Sequence, residues 1–232
     1  MKRTIISIAA ILLSAGLYAQ APVYSDSSTA LDKYMVPASG ETASPDKDGF
    51  LGRWMLLEPI SKPNPSNIVF TDSYIREVFG QTYFKGQLGD VLPKDGAKVK
   101  IDKKTKLRWH AMDSKLYNVK LFRFATNLSP ERYGVIFWAA TVVNCQEEIP
   151  GVRMSVGSNS ASMWWINGEE AVILSGDRRM VMDDCASERL TLHKGRNVIW
   201  GAVINGPGMS DFCVRFIDEE GKPVTNFTLS TQ

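Results

Sequence analysis

Residues 152–216 constrain the fold more than any other part of the chain, because short apolar runs alternate there with turn residues. Runs of this length and spacing are typical of antiparallel strands rather than of helices. Asn167-Gly168 lies between two of the runs and predicts a hairpin, since a type I′ turn needs a positive φ at both central residues. Lys194-Gly195 predicts a second turn between two neighbouring strands of the same stretch.

The rest of the chain contains further strand patterns, at 50–60, 98–101, 106–112, 117–124 and 134–143. The last of these is apolar on both faces, which predicts a central strand that is covered on both sides. Thr71 or Asp72 can cap a short helix over residues 73–79, whose apolar residues share one side. We therefore predict an all-β chain: a single antiparallel β-sandwich of jelly-roll type, with one short helix and an irregular N-terminal arm.

The N-terminus has the pattern of a secretory signal peptide. Lys2 and Arg3 precede an apolar run at 4–17, which ends in L-Y-A before Gln20. The run is shorter than the roughly 20 residues that span a bilayer, so we expect cleavage after Ala19 and no membrane insertion. The predicted protein is exported to the periplasm or the cell exterior. Its predicted parts are the signal peptide at 1–19, the irregular arm at 20–48 and the sandwich domain at 49–232.

The charge balance bears on the class of partner. Cleavage after Ala19 would leave 25 basic and 25 acidic residues, because the leader contains Lys2, Arg3 and no acidic residue. Proteins that bind nucleic acids or anionic membranes need a basic patch, so we expect neither as a partner. The oligomeric state stays open at the level of the sequence.

The chain has three cysteines, and an odd count allows one disulfide in an oxidising compartment. Cys213 falls within a predicted strand and Cys145 at a strand end, so we expect buried free thiols. The alternative is one disulfide, which would leave one of Cys145, Cys185 and Cys213 as a free thiol. The absence of C-x-x-C and the presence of only two histidines argue against a zinc site. We predict no cofactor and no metal ligand. A structural calcium ion stays open, although no Asp-rich loop marks a site for it.

The motifs of two hydrolase classes are missing. A serine hydrolase needs a nucleophile, a histidine base and an orienting acid, and no G-x-S-x-G occurs in the chain. Ser73 in V-F-T-D-S is better explained as a helix-start residue, and His193 has no Asp three residues before it. A glycosidase needs two carboxylates across a cleft. The carboxylate pairs lie beside predicted turns, where we expect solvated charges: Glu147-Glu148, Glu169-Glu170 and Asp183-Asp184. We predict no catalytic residue.

Two sets of motifs resemble known families. W-I-N-G at 165–168, followed by L-T-L-H-K-G-R-N at 190–197, resembles the galactose-binding-like β-sandwich of carbohydrate-binding modules. Segments from G-F-L-G-R-W-M-L-L-E-P at 49–59 to the block at 164–216 resemble the accessory domain attached to bacterial acetyl xylan esterases. This resemblance covers 49–224 and implies a secreted, non-catalytic protein that binds plant cell-wall polysaccharide such as xylan. The alternatives are a carbohydrate esterase with an unrecognised site and a protein–protein assembly module of a polysaccharide-utilisation system.

Carbohydrate binding requires an aromatic platform with a few polar groups, and the chain has six tryptophans. Trp164 and Trp165 are neighbours on a strand, so they face opposite sides of the sheet. Trp164 shares its side with Ile166 and is predicted to point inward, whereas Trp165 is predicted to be open to ligand. The predicted carbohydrate-binding residues are Trp109, His110, Trp165, Arg178 and Asp184. Core packing is the alternative for the tryptophans, and a surface salt bridge is the alternative for the charged pair.

Overall fold

The computed structural model describes residues 31–128 and 132–232. The predicted signal peptide and residues 20–30 of the predicted arm lie outside these ranges. The α-helices of the described part are α1 (Asp72–Gly80) and α2 (Leu121–Leu128), and short 3₁₀ helices occur at Leu31–Lys33 and Asn67–Val69. Its strands are β1 (Met35–Pro37), β2 (Arg53–Leu57), β3 (Ile60–Ser61), β4 (Lys98–Lys100), β5 (Lys106–Ser114), β6 (Val135–Cys145), β7 (Ile149–Ser158), β8 (Ala161–Ile166), β9 (Glu169–Leu174), β10 (Cys185–Ala186), β11 (Leu190–Leu192), β12 (Gly195–Asn205), β13 (Phe212–Ile217) and β14 (Phe227–Ser230).

Two antiparallel sheets form the body of the protein. The larger sheet has the strand order β1-β5-β2-β6-β12-β8-β9, with β3 and β14 also paired to β6 and β4 paired to β5. The smaller sheet has the order β10-β7-β11, and β13 also pairs with β7. Apolar side chains of the two sheets pack against each other in one core. The predicted all-β sandwich is confirmed.

The pairing of β6 with β12 forms the centre of the larger sheet. It runs in continuous register from Cys145 opposite Gly195 to Val135 opposite Asn205. Most side chains of both strands are buried, because apolar residues point to both faces. The prediction that residues 134–143 form a central strand is therefore confirmed.

The larger sheet carries an apolar core on each face. Trp54 of β2 packs in the core between the two sheets, and its neighbour Met55 points to the opposite, outer face. The outer face is covered by α1 and by residues 81–97, here called the covering segment. Phe84 and Leu92 of this segment are buried against the outer face. The sandwich therefore has a third layer over much of its larger sheet.

The helix predicted at 73–79 is confirmed as α1. The hydroxyl oxygen of Thr71 accepts a hydrogen bond from the backbone N–H of Tyr74 at 3.3 Å, which caps the first turn. One side of the helix is buried against the larger sheet, through Ile75, Val78 and Phe79.

The strand predicted at 117–124 is wrong, because only a bridge forms at Val119 and α2 begins at Leu121. Leu121, Phe124 and Ala125 are fully buried, and their spacing of three and four residues matches one side of a helix. Over so short a segment the apolar pattern fits a strand as well as a helix. The burial of this apolar side against the core favours the helix. The described part of the chain thus has two α-helices where one was predicted.

The turns in the second half of the chain follow the predicted sequence signals. Asn167 and Gly168 have φ angles of 51° and 85°, so the predicted hairpin between β8 and β9 is confirmed. Gly195 also has a positive φ, at 87°. The strands on either side of that turn do not pair with each other, because β11 belongs to the smaller sheet and β12 to the larger. This second turn carries the chain between the sheets.

The described part of the predicted N-terminal arm is tied to the sheet edge. Strand β1 pairs with β5, and the guanidinium of Arg53 donates to both carboxylate oxygens of Asp113 at 2.7 Å. The same guanidinium donates to the carbonyl oxygens of Ser39 and Gly40. Arg53 is 3% exposed, so these partners compensate the cost of burying its charge. The division of the chain into leader, arm and domain stays a prediction.

Cys145, Cys185 and Cys213 are all free thiols. Burial raises the pKa of the Cys213 thiol to about 12, so it is protonated at neutral pH. Across residues 31–128 and 132–232, no three His, Cys, Asp or Glu side chains are placed to hold a metal ion together. None of the helices in those ranges has the length and apolar character needed to cross a membrane.

The close contact between Gly201 and Trp164 provides a test of the central packing. A Cβ at position 201 would lie 2.2 Å from Cζ3 of the fully buried Trp164. We predict that Gly201→Ala lowers the free energy of unfolding by about 1–3 kcal/mol, as overpacking of a close-packed core does. Urea denaturation measures the change. The control is Gly80→Ala at the end of α1, where a Cβ would have open space and the unfolding midpoint should not fall. Equal midpoints for the Gly201 variant and the parent protein would contradict this packing.

Candidate functional site

Two of the five predicted binding residues are buried in the outer core of the larger sheet. Trp109 is 2% exposed and packs edge-on against Phe84 of the covering segment. Trp165 is 6% exposed and stacks on Trp138, with ring centroids 5.7 Å apart. Trp164 and Trp165 do face opposite sides of the sheet, as predicted. The expectation that the ring of Trp165 is exposed is wrong, because α1 and the covering segment form a further layer over it. A role of Trp165 in ligand binding stays a prediction.

The other three predicted residues lie in two separate places. His110 is partly buried, with Nε2 3.1 Å from the Oε1 of Glu58 and its ring edge-on to Phe124. Arg178 and Asp184 form an ion pair, in which Nε and Nη2 donate to Oδ2 at 2.8 and 2.5 Å. The predicted cluster of five is therefore not a single binding surface. The charged pair is the part of it that lies beside a sizeable cavity.

That cavity, here called the loop cavity, has a volume of about 620 Å³ and lies where four loops meet. The loops follow β3, β7, β9 and β12. Its lining residues are Pro65, Ser66, Asn67, Ile68, Asn159, Ser160, Gly176, Asp177, Arg178, Pro207, Gly208 and Met209. Loops held at the end of a rigid sandwich are a common location for binding residues.

Asn67 joins three of the four loops. Its Nδ2 donates to Oδ1 of Asp177 at 2.7 Å, and its Oδ1 accepts from the backbone N–H of Gly206 at 2.9 Å. A Cβ on residue 206 would lie 2.5 Å from this oxygen, so only glycine allows such a close approach. These contacts fix the side-chain amide and the carboxylate at the wall of the loop cavity.

The charged side chains of the cavity wall are also held in place. The ion pair with Asp184 and a hydrogen bond from Nη1 to the carbonyl oxygen of Ser175 orient the guanidinium of Arg178. The backbone carbonyl of Arg178 accepts from the N–H of Ser160. Ser160 has a φ of 60°, and its buried hydroxyl has no hydrogen-bond partner among the described residues. A left-handed serine with an unpaired buried hydroxyl is costly to fold.

Asn205, the last residue of β12, holds the base of the loop cavity together. Its Nδ2 donates to the carbonyl oxygens of Arg132 and Gly208 at 2.9 and 3.1 Å. Its Oδ1 accepts from the backbone N–H of Val135 at 3.0 Å. The side chain is fully buried, so it serves the structure of the loops and does not contact a ligand.

The loop cavity combines hydrogen-bonding groups with apolar surface. Amide, carboxylate, guanidinium and hydroxyl groups lie beside Pro65, Pro207 and the exposed side chains of Ile68 and Met209. Neither histidine of the chain lines it, so its lining contains no serine–histidine pair. The arrangement is suited to binding a polar ligand that also has apolar faces.

A smaller cavity of about 260 Å³ lies between α1, the covering segment and β8, and the exposed edge of Trp165 lines it together with Met163. The ion pair of Arg76 with Glu170 lies beside it. Of the two tryptophans predicted to bind ligand, only Trp165 has an edge that lines a cavity among those found in the described residues.

Sequence reasoning missed Asn67, Asp177 and Ser160 as residues of the loop cavity. Each lies in a turn-forming stretch, and such stretches are common in every β-sandwich. Asn67 and Asp177 are 110 residues apart in the chain, so their contact cannot be inferred without the fold.

No protein-family model and no curated protein matches the sequence. The structure is similar to the "PA14 sugar-binding domain from RTX adhesin", at 11% identity and a TM-score of 0.44, covering 78% of this chain and 100% of that chain. It is similar to the PA14 domain of the MpAFP antifreeze protein at 13% identity and a TM-score of 0.43, covering 83% and 96%. It is also similar to the Epithelial Adhesin 9 A domain from Candida glabrata, solved with Galβ1-4GlcNAc, at 9% identity and a TM-score of 0.37, covering 84% and 96%. Similarity at this level carries no ligand over to the present chain.

The contacts of Asn205 generate the first prediction about the site. Asn205→Asp keeps the size of the side chain but replaces its two donors, so the carbonyls of Arg132 and Gly208 lose their partner and face a carboxylate. We predict a loss of about 1–3 kcal/mol in the free energy of unfolding, the cost of leaving buried polar groups unsatisfied. Chemical denaturation measures the loss. The matched control is Asn226→Asp, an exposed asparagine for which the midpoint should stay unchanged. An equally small effect at both positions would show that Asn205 does not hold the loops.

The burial of Trp165 generates a second prediction, which reverses the expectation from the sequence. Trp165→Ala should lower the free energy of unfolding by about 3–5 kcal/mol, as large-to-small changes in a core do, and Trp164→Ala should cost a similar amount. Thermal and urea unfolding compare both variants with Val91→Ala, where an 82% exposed side chain is shortened. A Trp165→Ala protein as stable as the Val91→Ala protein would mean that the covering layer does not pack on this ring.

Proposed function

We propose that this protein is a non-catalytic carbohydrate-binding protein and that the sugar binds in the loop cavity. The observation that carries the proposal is the cavity itself. Its volume of about 620 Å³ and its mixed lining are those of a small-ligand site, since such sites hold roughly 300–1,000 Å³ and combine apolar surface with a few fixed polar groups.

The charges of the lining favour a neutral ligand. Arg178 is paired with Asp184, and Asp177 accepts from the amide of Asn67, so neither sign dominates the wall. A phosphate or other anion would need an excess of positive charge. A sugar ring offers many hydroxyl groups and no charge, and charged partners make the stronger hydrogen bonds to such hydroxyls.

The finer parts of the proposal come from the sequence. The resemblance of residues 49–224 to the accessory domain of acetyl xylan esterases supports plant cell-wall polysaccharide, xylan above all, as the ligand. The pattern at residues 1–19 supports export to the periplasm or the cell exterior. The lack of a histidine in the lining supports binding without catalysis.

Two adjacent arginines allow a matched test. Arg178 lines the loop cavity, whereas Arg179 is exposed and does not line it. We predict that Arg178→Gln weakens binding of the recognised glycan at least about tenfold, the loss expected when a charged hydrogen-bonding group is removed. Arg179→Gln removes the same charge from the next residue and should leave the affinity within about twofold.

The measurement is affinity electrophoresis on xylan, cellulose and mannan, followed by titration calorimetry with the matching oligosaccharides. Thermal unfolding confirms that both variants are folded. If the parent protein is retained on none of these glycans, or if both variants bind as tightly as the parent, the proposal is wrong. Release of acetate from acetylated xylan by the parent protein would contradict the non-catalytic part and would support the esterase alternative.

A further inference from the structure

A second cavity of about 330 Å³ adjoins the loop cavity. Pro65 and Pro207 line both cavities, so the two share a wall. The remaining lining residues of the second cavity are Pro63, Asn64, Tyr133, Gly134 and Gly206. This lining is mostly apolar, in contrast to the polar wall around Asp177 and Arg178.

The backbone contacts fix the two cavities relative to each other. The N–H of Lys62 donates to the carbonyl of Gly134 at 2.7 Å, and the N–H of Gly134 donates to the carbonyl of Gly206 at 3.3 Å. A Cβ on residue 134 would lie 2.9 Å from Cα of Pro63, so the loops approach as closely as a glycine allows. Asn205 bonds the backbone on both sides, at Arg132 and Gly208. The two cavities therefore form one rigid groove.

Tyr133 provides an aromatic surface in the second cavity. Its side chain is 54% exposed, although large aromatic side chains are mostly buried in folded proteins. The ring packs on Phe122 with centroids 5.5 Å apart, and the guanidinium of Arg132 lies 6.0 Å from the centroid of Phe122. The packing on Phe122 holds the tyrosine ring in place while about half of its surface stays accessible. A fixed aromatic ring loses little conformational entropy when a ligand stacks on it.

We propose that the groove binds adjoining sugar units of a linear oligosaccharide chain, one unit in the loop cavity and the next against Tyr133. This inference rests on the proposed function and deepens it, because it assigns the ligand class as an extended chain rather than a single terminal sugar. The polar half of the groove hydrogen-bonds the hydroxyls of one unit. The proline- and tyrosine-lined half packs against the apolar face of the next unit.

The test is titration calorimetry of the purified protein with β-1,4-linked xylose, glucose and mannose oligomers, each from the monosaccharide to the hexasaccharide. The affinity for the recognised series should rise with chain length. Tyr133→Ala should weaken binding of the longest oligomer about tenfold and change the affinity for the shortest bound oligomer by less than about twofold. Tyr133→Phe keeps the ring and should bind as the parent does.

The matched control is Tyr117→Ala, which removes another exposed tyrosine, one that packs on Phe50 outside the groove. Its affinities should equal those of the parent at every chain length. If a sugar series binds but the affinity does not depend on length, or if Tyr133→Ala and Tyr117→Ala behave alike, the extended groove is wrong and the proposed function stands. If no oligomer of the three series binds, the proposed function and this inference both fail.

Discussion

The pairing of β6 with β12 is the interaction on which the rest of this structure depends. Its two strands are apolar on both faces, so each face of the larger sheet must be covered. The smaller sheet covers one face, and α1 with the covering segment covers the other. On the other side of β12, the close fit of Gly201 against Trp164 fixes the register of β8, because a shift of one residue would exchange the two faces of that strand. The aromatic side chains that could have formed an open platform are used instead to hold these layers together.

The same pairing places the candidate site. Its last residue pair joins Val135, the first residue of β6, to Asn205, the last residue of β12. The segment before Val135 and the loop after Asn205 both lie beyond this pair. The loop after β12 and the segment before β6 are thus neighbours in space, and the amide of Asn205 bonds to both. The loop before α1 is tied to them through Asn67 and Gly206. A rigid sheet and a buried amide therefore position loops whose own sequences are irregular, which is how a sandwich can present a preorganised groove.

The parts of the fold that were predictable from the sequence are those that depend on local chemistry. Asn167-Gly168 specifies its turn, Thr71 caps α1, and the two-residue period places Trp164 and Trp165 on opposite faces. The predictions that were wrong, the exposure of Trp165 and the strand at 117–124, depend on contacts with residues that are distant in the chain. The layer over Trp165 comes from a helix and a segment some eighty residues earlier, and α2 forms because its apolar side is buried against the core. The sequence indicated Arg178 and Asp184 as a charged pair. It did not indicate the other residues of the cavity wall, because the sequences of turn-rich loops do not show which loops lie next to each other in the fold.

The most direct test of the account is a crystal structure of the protein with a bound linear oligosaccharide from the glycan series that it retains. We predict that sugar rings occupy the loop cavity beside Asp177 and Arg178, with the oligosaccharide continuing over Tyr133. The surrounding loops should move little, since they are already held by Asn67 and Asn205. A sugar bound elsewhere, for example against the exposed edge of Trp165 or in the cavity beside Asn144 and Phe227, with this groove unoccupied, would contradict it.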